Sequence, residues 1–303
     1  MSLKLTILGS SSAIPTSTRF PSSQILNINE RFFLIDCGEG TQMQLRKYRF
    51  KLQKINHIFI SHLHGDHYLG LVGLVFTMHL LGRHNELHVY GPPELKDIID
   101  LHLNVSLTTL NFPLEFHSLV SDIPEVLFED NRIIVKSFKL LHRVPTYGFI
   151  FREKSSLRNI KKEVIANMNI PFEEMDDIRG GADFTDETGV THINAHLTNE
   201  PRKPKSYAYC SDTGYTETII PLIKDVDILY HEATFLNDRE KDAIEKQHST
   251  TLQAATIALK AKAKKLLIGH YSARYDDLTP LLNEARSVFP ETYLAEEGKM
   301  FEV

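Results

Sequence analysis

The 303-residue sequence contains no tryptophan and only two cysteines, Cys37 and Cys210. Two thiols leave one possible bridge, which excludes a disulfide-stapled scaffold and fits a reducing compartment. Neither belongs to a paired-cysteine zinc motif. No apolar run approaches the ~20 residues that span a bilayer, and the most apolar stretch, 69–82, is interrupted by His79. The opening MSLKLTILG lacks the charged, apolar and small-residue regions of a secretory signal in series, so a cytoplasmic location without a membrane partner is expected. An excess of positive charge is also missing. With 34 basic and 39 acidic residues, a formal net charge of -5, the field of the whole molecule does not gather polyanions, and any nucleic acid needs a local basic surface. A hydrophobic fraction of 42% excludes global disorder. Against these shortages stand fifteen histidines, the side chain most used for metals and for proton transfer near neutrality.

Short β-branched or aromatic runs at 3–8, 24–28 and 31–35, separated by Gly, Ser, Pro and Asn clusters, read as a β-meander. From Thr41 the pattern turns helical, and apolar run 58–60 reads as a strand. A helix over 66–79, strand 86–91, helix 94–103, strands 133–138, 147–151 and 206–210, strand 227–232, a helix from Thr250 to about Lys265, strand 265–270 and helix 278–287 follow. Such alternation predicts helices layered on sheets. Residues 152–205 differ: short on apolar periodicity, basic at the start and acidic in the middle, they read as an inserted arm or long loop.

The strongest chemical signal is SHLHGDH, where His62, His64, Asp66 and His67 leave one strand end together. In extended chain His62 and His64 share a side, whereas Asp66 and His67 fall where a helix begins and aim elsewhere; two adjacent metals fit this better than one. A helix cap accounts for Asp66 but not for three histidines. Further ligands are expected at other strand ends, and His142, Asp212 and His270 each follow an apolar run. Imidazoles and carboxylates without cysteine suit Zn²⁺ and, less often, Mn²⁺ or Fe, and a carboxylate such as Asp212 can bridge two ions.

These residues resemble the metallo-β-lactamase superfamily and, more narrowly, the ribonuclease Z family. The resemblance runs nearly end to end, through ILGSSSAIPTSTR, FLIDCGEGTQ, SHLHGDH, HEATF, HST at 248–250 and GHYSARY. It implies an α/β fold, a single αββα sandwich over 1–303 with 152–205 as an inserted flexible arm. It also implies two Zn²⁺ per subunit, one on His62, His64 and His142, the other on Asp66, His67 and His270, with Asp212 shared. The activity implied is removal of the 3′ trailer from precursor tRNA by a homodimer, leaving a 3′-hydroxyl and a 5′-phosphate. Asp66 would accept a proton, His248 with Glu232 behind it would protonate the leaving oxygen, and Asp36 would support a ligating histidine.

Arg46, Lys47 and Arg49 form the best local basic patch, with Arg143, Arg274 and Arg19 as further phosphate contacts. Where the family has a lysine and an asparagine in the N-terminal loop, this chain has Ser17 and Phe20, and its arm lacks the family's glycine-proline signature. Two other readings remain: a dinuclear phosphodiesterase on small substrates, and a metal-bound RNA-binding scaffold without activity.

Overall fold

The computed structural model describes residues 3–303, which divide into two compact units. Among the described residues the larger comprises 3–128, Val135–Phe151 and Lys205–Val303 and is built on two seven-stranded sheets. In the first, Met300–Glu302, Leu3–Gly9, Ser23–Ile28 and Arg31–Cys37 pair antiparallel; Ile55–Phe59, Leu87–Gly91 and Leu114–Ser118 then continue in parallel. In the second, Ser206–Cys210, Ile228–Glu232, Lys265–Gly269 and Thr292–Leu294 run parallel, and Tyr147–Glu153, Ile133–Lys139 and Glu125–Glu129 complete the order beyond Ser206–Cys210.

Alternation along the strands decides the layering, because successive side chains leave a strand on opposite faces. Leu34, Ile58 and Val89 pack outward with Leu45, Leu74 and Met78 of the helices Thr41–Lys47 and Leu71–Leu80. Ala208, Leu229 and Ile268 pack outward with Ala254, Ile257 and Leu281 of the helices Thr251–Lys260 and Thr279–Arg286. The intervening residues face the other sheet: Phe33 meets Phe151 at 5.4 Å and Phe59 meets Phe149 at 5.4 Å between ring centroids. The order is therefore helix, sheet, sheet, helix. Burying one such aromatic is worth about 1.5–3 kcal/mol, so this central layer is a main source of cohesion.

Two sequence expectations need correction. The helix expected over 66–79 is broken into Gly65–Tyr68 and Leu71–Leu80. Gly70 packs so closely on Gly38 that a Cβ would lie 2.2 Å from the Gly38 carbonyl oxygen, and its N–H donates to the Cys37 carbonyl at 2.9 Å instead of continuing the helix. The helix expected to run from Thr250 to about Lys265 stops at Lys260, with Thr250 and Gln253 forming a capping box at its start.

The smaller unit, Glu129–Ile134 and Arg152–Pro204, carries the short helices Lys162–Asn167, Phe172–Gly180 and Asn194–Leu197. They surround a core of Ile170, Ile178, Phe184 and Leu197. The Asn194 amide donates to the carbonyls of Ile178 and Ala182, both at 2.7 Å. A core of so few apolar side chains leaves little periodicity in the sequence, which is why the stretch reads as a loop.

Candidate metal centre

The parallel strands of both sheets deliver polar residues just beyond their carboxyl ends, where an α/β sheet leaves a crevice. His62 and His64 follow Ile55–Phe59, Asp212 follows Ser206–Cys210, His270 follows Lys265–Gly269, and Glu232 ends its own strand. His142 lies beyond Ile133–Lys139. The inward ligand atoms form three overlapping groups: His62, His64, His142 and Asp212; Asp66, His67 and His270; and Asp212, His248 and His270, each within 4.8 Å.

Asp212 joins the groups. Its Oδ1 lies 3.2 Å from His67 Nε2 and 3.1 Å from His270 Nε2, while its Oδ2 lies 3.5 Å from His62 Nε2 and 3.7 Å from His142 Nε2. In the second group, Asp66 Oδ2 stands 3.3 Å from both His67 Nε2 and His270 Nε2.

Hydrogen bonds on the far side of four of the five rings set which nitrogen faces inward, while His64 turns its Nδ1 toward His62 Nε2 at 3.1 Å. His67 Nδ1 donates to Asp36 Oδ2 at 2.7 Å and His142 Nδ1 to the Gln247 carbonyl at 2.9 Å, leaving the Nε2 lone pairs directed into the site. His62 Nδ1 meets Ser61 Oγ at 3.0 Å, and His270 Nδ1 meets Thr234 Oγ1 at 3.0 Å. Asp36 also accepts the Ser61 N–H at 2.7 Å and the Tyr209 hydroxyl at 2.6 Å. Asp36 and His270 both hold left-handed backbone, φ 54° and 58°, a conformation costing about 1–3 kcal/mol that the surrounding bonds must sustain.

The charges fit a cation. Burial opposes the Asp212 and Asp66 carboxylates, yet the neighbouring His270 and His67 hold both well below the usual range. Burial pushes His62, His64 and His142 down, favouring neutral, ligating rings. Burial also opposes charge on His67, but Asp66, Asp212 and Asp36 outweigh it and raise the ring well above its ordinary value. Three buried carboxylates thus demand positive charge, and seven convergent nitrogen and oxygen donors without sulfur suit a divalent ion.

Beside this cluster, the Glu232 carboxylate is fully buried and accepts from the Thr213 N–H at 2.8 Å, the Thr234 hydroxyl at 2.7 Å and His248 Nδ1 at 2.7 Å. Burial lowers His248, but the charge and hydrogen bond of Glu232 prevail and push it up to about 9. His248 opens on the same cleft as His64, Asp66, Asp212 and His270, a space of about 300 Å³ with Arg143 at its wall.

A ribonuclease Z from Bacteroides thetaiotaomicron is 45% identical over 97% of this chain and 93% of its own length. The chain belongs to the ribonuclease Z family. Members are metal-dependent endoribonucleases, and this chain is such an enzyme. The crystal structure of human tRNase Z, short form, superposes with a TM-score of 0.72 at 29% identity, covering 98% of both chains. The metallo-β-lactamase fold protein YhfI from Bacillus subtilis gives 0.72 at 21% identity over 100% of both; the sandwich is that fold. Residues 3–158 also match the family model described as Anti-Pycsar protein Apyc1, a stretch ending before Asp212, Glu232, His248 and His270.

The basic residues singled out in this ribonuclease Z family chain scatter. Arg143 alone among them lines the cleft. Arg19 is buried, its guanidinium 3.5 Å from the Ser272 carbonyl. Arg274 lies 3.6 Å from Asp242 and over the Phe235 ring. Arg46, Lys47 and Arg49 are exposed at and beyond the end of helix Thr41–Lys47. Sequence reading missed Ser61, Thr234 and Tyr209 as supporting groups. The first two sit inside SHLHGDH and HEATF, whereas the Gln247 carbonyl and the Ala13 N–H are backbone and carry no side-chain signal.

Proposed function

We propose that this chain removes the 3′ trailer from precursor tRNA, leaving a 3′-hydroxyl on the tRNA and a 5′-phosphate on the trailer. The observation that carries the reading is the Glu232–His248 pair opening on the same cleft as Asp212, because a folded scaffold needs no proton donor there. His62, His64 and His142 would hold one divalent ion, Asp66, His67 and His270 a second, and Asp212 would offer one oxygen to each; zinc suits this donor set, manganese less well. When bound, such a pair supplies Lewis acidity to the phosphodiester and makes water at the site more acidic.

The chain's own groups do the rest. Glu232 engages His248 Nδ1, leaving Nε2 to protonate the departing 3′ oxygen. With its pKa near 9 the ring holds that proton at neutral pH. Asp66, kept as a carboxylate, accepts the proton of the attacking water. Arg143 contacts phosphate at the cleft wall, Arg46, Lys47 and Arg49 bind RNA backbone further away, and residues 152–205 act as the arm that grips tRNA away from the cut. The helix Leu71–Leu80 is apolar nearly all round, and Met43, Leu69, Leu80 and Leu81 are exposed; a second copy covering this surface makes a homodimer. No helix among the described residues is long and apolar enough to cross a membrane, in keeping with work in the cytoplasm.

End-mapping of a 3′-extended precursor tRNA cut by the purified protein tests the reading, with Asp66→Ala expected to abolish cleavage. Deleting 155–200 should remove precursor cleavage and spare hydrolysis of a small phosphodiester. If the full-length protein cuts only the small ester, the small-substrate phosphodiesterase reading takes its place.

A further inference from the structure

The loop 10–20 runs past the metal centre without supplying a side-chain ligand. Its closest approach is the Ala13 N–H, which donates to Asp66 Oδ2 at 2.7 Å, the same oxygen that faces His67 and His270. Ala13 reaches it from left-handed backbone, φ 61°, so the loop does not relax into this contact unaided. Something must hold it.

Backbone and one side chain both do. The Ser10 and Ser11 N–H groups donate to the Phe20 carbonyl, both at 2.9 Å, the Ser12 N–H to the Tyr271 carbonyl at 3.0 Å and the Tyr271 N–H to the Ser10 carbonyl at 2.9 Å. Added to these is a single carboxylate from far along the chain. Glu297 Oε1 accepts the Ser10 N–H at 3.2 Å, the Ser10 hydroxyl at 3.1 Å and the Phe20 N–H at 3.2 Å, clasping both ends of the loop at one atom. Burial pushes this carboxyl up from the ordinary range against those three donors.

We propose that Glu297 is a positioning residue of the metal centre, clamping loop 10–20 so that the Ala13 N–H fixes Asp66 for the ion held with His67 and His270. The proposal rests on the two-ion reading above. Its reach is selective: the group of His62, His64 and His142 makes no contact with this loop in the hydrogen bonds described.

Metal retention after dialysis against a competing chelator, and amide exchange of segment 12–14 in metal-free protein, test it together. Glu297→Ala should speed exchange at 12–14 and weaken one of the two ions roughly tenfold, as losing a ligand-orienting bond does, with the other ion held as in wild type. Glu297→Gln keeps a carbonyl oxygen for the same three donors and should retain both ions, guarding against a folding defect in the alanine variant. Glu296→Ala, a matched charge loss at an exposed neighbour, should change neither measurement. Unchanged retention in Glu297→Ala overturns the proposal, whether or not exchange quickens, as does equal loss of both ions. Wild-type protein that retains no divalent ion sinks the two-ion reading instead, and exchange then still reports on the clamp.

Discussion

At the carboxyl ends of the parallel strands, the rings of His62, His64 and His142 meet edge to face, at interplanar angles of 80°, 75° and 84°. Elsewhere on the first sheet, His57 lies face to face on His88 at 11°, and His88 meets His117 at 29° through a bond between its Nδ1 and the His117 Nε2 at 3.0 Å. Imidazole lone pairs lie in the ring plane. Perpendicular rings can aim them at one point, whereas in the second cluster His57 and His88 send them into parallel planes and the facing nitrogens of His88 and His117 satisfy each other. The carboxylates differ too. Buried Asp212 faces four imidazoles, while Glu86, largely exposed, meets His88 at 3.1 Å. The stacked set continues the aromatic layer, with Tyr90 over His117 at 4.4 Å and over Phe59 at 4.5 Å. Histidine count is thus a poor guide to chemistry, and ring orientation with a shared carboxylate a better one.

The contrast breaks most directly at Asp212. Asp212→Ala should lower precursor cleavage by more than about 10³-fold, since it disturbs the whole electrostatic clamp, and should reduce the metal content measured by mass spectrometry. His248→Ala should slow single-turnover cleavage by about 10²–10⁴-fold with metal content retained; normal turnover would remove the general-acid assignment. The pH profile adds a sign. An acid must be protonated to act, so the rate falls as pH rises through about 9, the His248 value. Glu232→Gln removes the charge that raises His248 and should move that alkaline limb to lower pH. Asp36→Asn leaves every ligand in place but weakens the His67 bond, so a 10–100-fold drop in metal affinity is expected. At the small end, His88→Ala should cost only about 1–3 kcal/mol, from stacking on His57 and the hydrogen bond to His117, visible as a lower Tm, with metal content and cleavage unaltered. A loss of metal there would erase the distinction between the two clusters.

Much of this architecture is legible before any coordinates. Residues 58–60 and the strand Lys265–Gly269 read as apolar runs because both their faces are covered, and SHLHGDH marks the site by density alone. The strands Leu114–Ser118 and Glu125–Glu129 escape notice because their residues are mostly half-buried or exposed, leaving no apolar alternation to read. Met300–Glu302 is too short for any period and exists as a strand because Leu3–Gly9 pairs with it, Lys4 opposite Glu302. The broken helix at Gly70 depends on a backbone contact with Gly38, remote in sequence and invisible to a local pattern. Arg19 and Arg274 show the same limit, since charge in a motif says nothing of whether a carbonyl, carboxylate or ring from another segment has already engaged it.

Residue identity by itself settled the kinds of donor available and their placement after apolar runs, because strand burial and imidazole chemistry are properties of local sequence. Folding alone decided which oxygen of Asp212 faces which histidines, that Thr213 holds the Glu232 carboxylate against His248, and that a carboxylate at 297 grips a loop beginning at residue 10. Those are relations between chain segments from 16 to 287 residues apart. Hydrogen bonding and coordination are directional and act over a few ångströms, so only the packed sheets bring such groups into range.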